Sequence, residues 1–257
     1  MQTRFHDCRI GSLRSTTAGV ADLFVHECER DLPRVALPQA DVHLVVRLGP
    51  SVPNGLDVHA MGVQQEVHRK VIRGGQRTVF ARLQLSTCEA VLGMPGVEVA
   101  GRIVALEELW GDAVAQRLLA QLAEAADTAA VAAVLESAIA QRITMADVRP
   151  SAQASLASHA AQRLGGGNVT TVASGLGVSE RHLRRVFRQA VGVSPKTFAR
   201  LTRFHHALSA ARDGDGSSWA SIAATAGYYD QAHLIAEFRA IAGTTPGALL
   251  AELQATG

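Results

Sequence analysis

The chain has 257 residues, 47% hydrophobic and 19% charged, with a formal net charge of +2. That is enough apolar sequence for one large or two medium domains with real cores, and it excludes a disordered or strongly charged polypeptide. No apolar run approaches the ~18–20 residues a membrane span needs. The first eight residues lack the apolar segment of a signal peptide. The three cysteines, Cys8, Cys28 and Cys88, are widely spaced with no CxxC pair. Such usage fits a reducing cytoplasm and argues against a disulfide framework or a zinc site.

Residues 1–104 read as mostly β. Val42 to Leu48 is a compact apolar run closed by Gly49 and Pro50, which suits a buried strand ending in a turn. Leu56 to Val63 and Glu66 to Ile72 follow, and Arg77 to Leu85 alternates, with Val79, Ala81, Leu83 and Leu85 on one side. Short strands punctuated by Gly and Pro every ten residues or so predict a small barrel or sandwich. Cys88 to Leu92 predicts a short helix. Residues 105–145 switch to helical period: Leu106, Leu109 and Trp110 precede a break at Gly111, and Val114, Leu118, Leu119 and Leu122 recur at helical spacing. After a second break at Asp127, Val131, Val134, Leu135, Ala138 and Ile139 resume the pattern. This Ala-rich helical hairpin has a strong apolar face, for packing onto its own barrel, for a dimer contact, or for both. Residues 146–152, with Pro150, read as a linker.

Residues 153–257 read as all-α. Charge moves with the change of class. Residues 1–150 hold 15 Lys and Arg against 17 Asp and Glu, a net of −2; residues 151–257 hold 10 against 6, a net of +4. Most of that excess lies between Arg181 and Arg203. Ser179 to Ala190 predicts a short basic helix with Leu183, Val186, Phe187 and Ala190 as its apolar stripe and Arg181, Arg184, Arg185 and Arg188 on the free side. Ser179 is a good N-cap and Gly192 a good stop; Ser194 followed by Pro195 starts a long helix, 195–212. Such a face suits a DNA major groove, because the guanidinium fork matches guanine O6/N7 and phosphate oxygens; standing alone, it is equally a solvated basic surface.

An internal repeat separates those readings. At an offset of 50, Val172, Ala173 and Gly177 match Ile222, Ala223 and Gly227. At an offset of 51, Ser179, His182, Leu183, Phe187, Arg188, Gly192 and Pro195 match Asp230, His233, Leu234, Phe238, Arg239, Gly243 and Pro246. The matched residues have physical roles. Ala allows close approach of two helices, Gly makes the turn, and Ser or Asp caps. Leu and Phe anchor, and Gly and Pro end one helix and start the next. The pattern predicts two helix-turn-helix units, about 168–192 and about 218–243, joined by helix 195–212.

These residues carry a resemblance. The strings from Val172 to Arg188 and Gly192 to Pro195, then Ile222, Ala223, Gly227 to Leu234, Glu237 to Arg239 and Gly243 to Pro246, resemble the DNA-binding domain of AraC/XylS-type regulators. Residues 1–145 resemble a cupin-like sensor domain, on Ala36 to Pro38, Val42 to Val46 and Leu106 to Gly111. The resemblance implies an α+β chain of two domains. Residues 1–104 would be a small cupin-like β-barrel sensor, 105–145 a helical hairpin for packing or dimerisation, and 153–257 the DNA-binding domain. It implies a non-enzymatic cytoplasmic transcription regulator that binds double-stranded DNA, takes a small-molecule effector, forms a homodimer and can touch RNA polymerase. It brings no cofactor, metal or membrane. The DNA-contacting residues would be Ser179, Arg181, His182, Arg184, Arg185 and Arg188 in the first unit and Gln231, His233 and Arg239 in the second. The second unit departs from the family pattern, with Ile235 and Ala236 where small polar and basic residues are common. The first unit is therefore expected to supply most of the affinity.

Other chemistry is thinly supported. His26, His43, His59 and His68 include no His-x-His pair, so a metal site is not expected. No base or resolving thiol is placed beside the cysteines. Arg69 and Arg73, close to Arg77, form a basic cluster able to hold a phosphate or guanine edge, as in cyclic-dinucleotide receptors; exposed charges on a strand edge look the same. An effector in the barrel would meet Leu44, Val46, Val58, Val79, Ala81 and Leu83, a pattern that equally fills an ordinary core. DNA-repair alkyltransferases carry a similar DNA module, but they need a reactive Pro-Cys-His-type cysteine or a four-Cys zinc cluster, which this sequence lacks.

Overall fold

The computed structural model describes residues 3–5, 8–146, 151–165, 167–214 and 218–256, with side chains from residue 10 onward. Residues 147–150 of the expected linker, and the side chain of Cys8, lie outside the described residues. The N-terminal part is β-rich, with strands β1 Thr3–Phe5, β2 Cys8–Leu13, β3 Val20–Cys28, β4 Leu32–Ala36, β5 His43–Leu48, β6 Leu56–Met61, β7 His68–Ile72, β8 Arg77–Leu83 and β9 Ile103–Ala105. Seven form one antiparallel sheet in the order β1-β2-β3-β8-β5-β6-β9, and β4 and β7 form a separate two-stranded ribbon.

The pairings are nested: β5 with β6, β4 with β7, β3 with β8. One long hairpin is thus rolled upon itself, and a further pairing of β5 with β8 closes the turn of the roll. This is the jelly-roll way of burying a hairpin too long to be stable when flat. Period-two alternation gives each strand two faces. Leu23 and Val25, Leu44 and Val46, Val58 and Ala60, and Val79 and Ala81 share one face, all buried in a single core.

That face is covered by helices. α1 Cys88–Leu92 and α2 Gly96–Val99 follow β8; α3 Leu106–Trp110, α4 Asp112–Ala123 and α5 Thr128–Met145 follow β9. Asp127 caps α5 by accepting the Ala130 amide at 2.8 Å. Leu118 and Leu122 of α4 and Val131, Leu135 and Ile139 of α5 lie in the same core as the strands. The hairpin therefore packs its apolar face on its own sheet. Leu44, Val46, Val58, Val79, Ala81 and Leu83 lie in this core beneath the hairpin, the filled-core arrangement that their alternation also allowed.

The C-terminal part is helical: α6 Ala152–Leu164, α7 Val169–Gly175, α8 Glu180–Val191, α9 Pro195–Asp213, α10 Trp219–Thr225, α11 Gln231–Ala242 and α12 Pro246–Thr256. Their core includes the fully buried Phe187, Phe204 and Phe238. Val35 and Val63 from the β-rich part are buried in that same cluster, so the two parts are docked. Directional contacts fix the docking. The Val67 amide donates to the Ile241 carbonyl at 3.0 Å. Arg69 donates twice to Glu252, at 2.6 and 2.9 Å, and once to the Ala242 carbonyl at 3.3 Å. His205 Nε2 lies 2.6 Å from the Pro38 carbonyl oxygen. Gly96 sits where a side chain cannot: a Cβ there would be 2.1 Å from the Ala190 carbonyl oxygen at the end of α8.

Candidate nucleic-acid interface

The two halves of the helical part are built alike. Asn168 starts α7 by accepting the Thr171 amide at 2.8 Å, and Ser218 starts α10 by accepting the Ser221 amide at 3.2 Å. In each, a buried pair (Val172 and Ala173; Ile222 and Ala223) seats the short helix. Gly177 and Gly227 make the turns at φ 67° and 80°, a region costly for residues bearing a Cβ. Ser179 and Asp230 then cap the second helices by accepting the amides of His182 (3.2 Å) and His233 (2.7 Å). α9 is the spine between the units. Its Phe198 meets Phe187 of α8 edge to face at 5.3 Å, and its Phe204 meets Phe238 of α11 at 4.5 Å. At ~1.5 Å rise per residue, its 19 residues extend about 28 Å, a length comparable to the ~34 Å recurrence of the major groove.

With Leu183, Val186, Phe187 and Val191 buried, α8 turns Arg181, Arg184, Arg185 and Arg188 outward, all exposed, with His182 half-buried beside them. Glu180 tempers this face. It accepts from the Thr170 hydroxyl and from Arg184 Nη2 (2.7 Å), and those two contacts hold its carboxyl below the usual range. Arg185 Nη2 lies 3.4 Å from His182 Nδ1. In the second unit Gln231, His233 and Arg239 are exposed, with Ala232 and Ala236 between them. The two acids of this helix are both engaged away from that face. Asp230 is occupied as the cap, and Glu237 turns inward to Arg203 (3.2 Å) and Arg200 (3.7 Å) of α9. Neither acid occupies the outward face.

Two features escaped the sequence reading. A groove between the first unit and the start of α9 is lined by Asn168, Thr170, Arg184, Lys196 and Arg203. Lys196 is exposed in the first turn of α9, directly after Pro195, a position that marks it as an outward cation. Tyr229, 93% exposed, stands just ahead of α11. In sequence it was indistinguishable from the adjacent Tyr228, which is buried.

The other expected sites are placed as follows. Arg69 is engaged by Glu252, and Arg73 donates to Asp31 at 2.6 Å, an acid also held by the Gly74 amide. Arg77 is half-buried at the start of β8, opposite Glu27 of β3. The first two thus already have carboxylate partners, and they are different ones. Among the described residues no group of three or more His, Cys, Asp or Glu is placed to hold a metal ion. Cys88 is buried, and its thiol is pushed up to about 12 by that burial, with Glu89 and Asp41 adding to it, which disfavours a thiolate. Among the described residues no helix is long and apolar enough to cross a membrane.

Comparison with known proteins agrees with this geometry. Residues 172–252 match the family model described as a helix-turn-helix domain. No curated protein matches the chain. Solved structures are similar only loosely. The DNA-binding transcriptional dual regulator from Escherichia coli K-12 is 20% identical over 42% of this chain and 96% of its own, with a TM-score of 0.34. ToxT from Vibrio cholerae O395 is 10% identical over 90% of this chain and 96% of its own, with a TM-score of 0.43. The AraC-like transcriptional activator CuxR is 14% identical over 81% and 80%, with a TM-score of 0.22. The family model and the duplicated caps, turns and anchors agree: residues 172–252 form a helix-turn-helix domain.

Proposed function

We propose that this protein is a sequence-specific transcription regulator in which α8 is the main reader of DNA and the β-rich part takes a small-molecule effector. The observation that carries the reading is the open guanidinium face of α8, backed by a helix-turn-helix whose second copy sits on the same spine. Arg181, Arg184 and Arg185 are the base readers, since Arg forks discriminate guanine in the major groove. Arg188 and Lys196 take phosphates, which fix register without reading sequence. α11 positions the protein through Gln231, His233, Arg239 and its helix N-terminus. A second copy of the chain, and contact with RNA polymerase through the second unit, complete the proposed assembly.

The experiment is recovery of bound genomic DNA by the full chain, followed by gel shifts on the enriched fragments at rising salt. Enrichment of a common motif is expected, with affinity falling steeply as salt rises, by roughly one power of salt concentration for each phosphate neutralised. Recovery of DNA without any common motif would overturn sequence-specific regulation.

A further inference from the structure

The two helix-turn-helix units differ in length at one place. The offset between them is 50 residues at the turn glycines, Gly177 and Gly227, and 51 at the caps, Ser179 and Asp230. The second turn therefore holds one residue more. Val178 alone separates glycine from cap in the first unit; Tyr228 and Tyr229 separate them in the second. The two tyrosines have opposite surroundings. Tyr228 is buried, 5% exposed. Its ring meets the His233 ring of α11 edge to face at 5.4 Å, and the Arg203 guanidinium of α9 lies over it, 5.6 Å from the ring centre. The same His233 accepts the Tyr229 amide at Nδ1, 3.4 Å away, and its own amide donates to the Asp230 cap. The longer turn is thus tied to both the spine and α11.

With its backbone held and Tyr228 turned in, Tyr229 points out. Among the described residues no other Phe, Tyr or Trp is exposed, and no ring contact or hydrogen bond engages the Tyr229 side chain. Single exposed rings are ordinary on a surface; the position distinguishes this one. In a helix-turn-helix the N-terminal end of the second helix enters the major groove. The residue just ahead of its cap then stands at the edge of that groove, where the sugar-phosphate backbone passes. Tyrosine suits such a place. It offers a neutral hydroxyl donor to a phosphate oxygen and a flat apolar body to the sugar. Behind it α11 presents Ala232 and Ala236 where α8 presents guanidinium groups, so the second unit has little other grip on the backbone.

We propose that Tyr229 is the backbone contact of the second unit. Its hydroxyl donates a hydrogen bond to a DNA phosphate at the edge of the groove that α11 enters, and its ring lies against the adjoining deoxyribose. This rests on the regulator reading above, in which α11 meets DNA. The two units then hold the duplex by different physics. The first neutralises phosphates with cations and releases counterions; the second uses a neutral donor and releases none. Salt that loosens the first unit leaves the Tyr229 contact in place.

The test uses the full chain in gel shifts, on a genomic fragment that it enriches and on a duplex of unrelated sequence at low salt. Tyr229→Phe removes only the hydroxyl and Tyr229→Ala the ring as well; with the side chain open to solvent, neither is expected to move the melting temperature. Tyr229→Phe is expected to weaken binding to both duplexes about two- to tenfold, because a phosphate contact carries no sequence information, and to leave the slope of log affinity against log salt unchanged. Tyr229→Ala is expected to weaken it further. Arg188→Gln, by contrast, is expected to flatten that slope by about one unit. Methylphosphonates placed singly in the enriched fragment locate the contact: one position beside the α11 half-site is expected to weaken the wild type and leave Tyr229→Phe unaffected. Unchanged affinity in both Tyr229 variants, or no phosphate whose neutralisation Tyr229→Phe masks, overturns the contact. A defect confined to transcription with RNA polymerase also overturns it, making Tyr229 a protein-docking residue. The regulator reading fails separately: a chain that binds the two duplexes equally loses sequence specificity while the Tyr229 effect stays measurable, and a chain that binds neither overturns both.

Discussion

α8 and α11 are both twelve residues long, both capped by an oxygen-bearing side chain, and both stopped by a glycine of positive φ (92° at Gly192, 71° at Gly243). Both are anchored by a fully buried Leu and Phe. Their outward faces differ: α8 presents four guanidinium groups and α11 one, with two alanines among its neighbours. The frame needs only a cap, two anchors and a stop, and packing places little demand on the remaining positions. The reading surface is therefore free to vary while the fold repeats. Where α11 does hold an acid off the cap, at Glu237, the side chain turns into the spine and leaves the face nearly uncharged.

The largest effect tests the shared frame. Phe187→Ala and Phe238→Ala each remove a ring with 0% exposure, and each is expected to cost about 3–5 kcal/mol of stability. Chemical denaturation that finds one loss much smaller than the other breaks the structural equivalence of the units. Next comes the difference between faces. Arg184→Ala with Arg185→Ala is expected to weaken specific DNA binding about 10- to 100-fold, and Gln231→Ala only a few-fold. Equal losses in a gel shift sink the assignment of α8 as main reader. Third, Glu237→Gln leaves Arg203 and Arg200 without their shared carboxylate and is expected to lower stability by about 1–3 kcal/mol, with DNA affinity unchanged. A gain in affinity on neutralising Glu237 would mean that its charge is felt at the DNA face after all.

The duplicated unit was legible in sequence because its requirements are local: cap, turn glycine and anchor recur within twenty residues, so the offset comparison exposes them. The β-rich part was legible only as a class. β3 and β8 pair across 50 to 63 residues, and β4 and β7 enclose β5 and β6, so no short window contains a partner. The Glu66 to Ile72 run was legible as a strand, but four of the five residues of β7 are exposed and do not alternate, so its pattern did not point to β4 as its partner. Alternation left Leu44, Val46, Val58, Val79, Ala81 and Leu83 as either a pocket lining or a filled core, because it defines two faces without saying which one the α4–α5 hairpin covers. Arg69 looked like half of an anion site because its partner, Glu252, lies 183 residues away.

The smallest effect bears on how much of the α8 surface is available before DNA arrives. Glu180 sits at the first position of α8 and accepts from both Thr170 and Arg184, so one of the four guanidinium groups is tethered by an acid in the free protein. An exposed pair of this kind contributes little to stability, but it subtracts charge from the face and holds Arg184 back against its own helix. Glu180→Gln keeps a polar group for Thr170 and releases Arg184. DNA affinity is then expected to rise about two- to fivefold at low salt, and the dependence of log affinity on log salt to steepen by up to about one unit. The matching position in α11 is Gln231, already neutral, so no such tether exists there. Gel shifts of Glu180→Gln at two salt concentrations decide the point. An unchanged affinity and slope would mean that Arg184 meets DNA with Glu180 still attached, and the inequality between the two helices would be smaller than a count of guanidinium groups suggests.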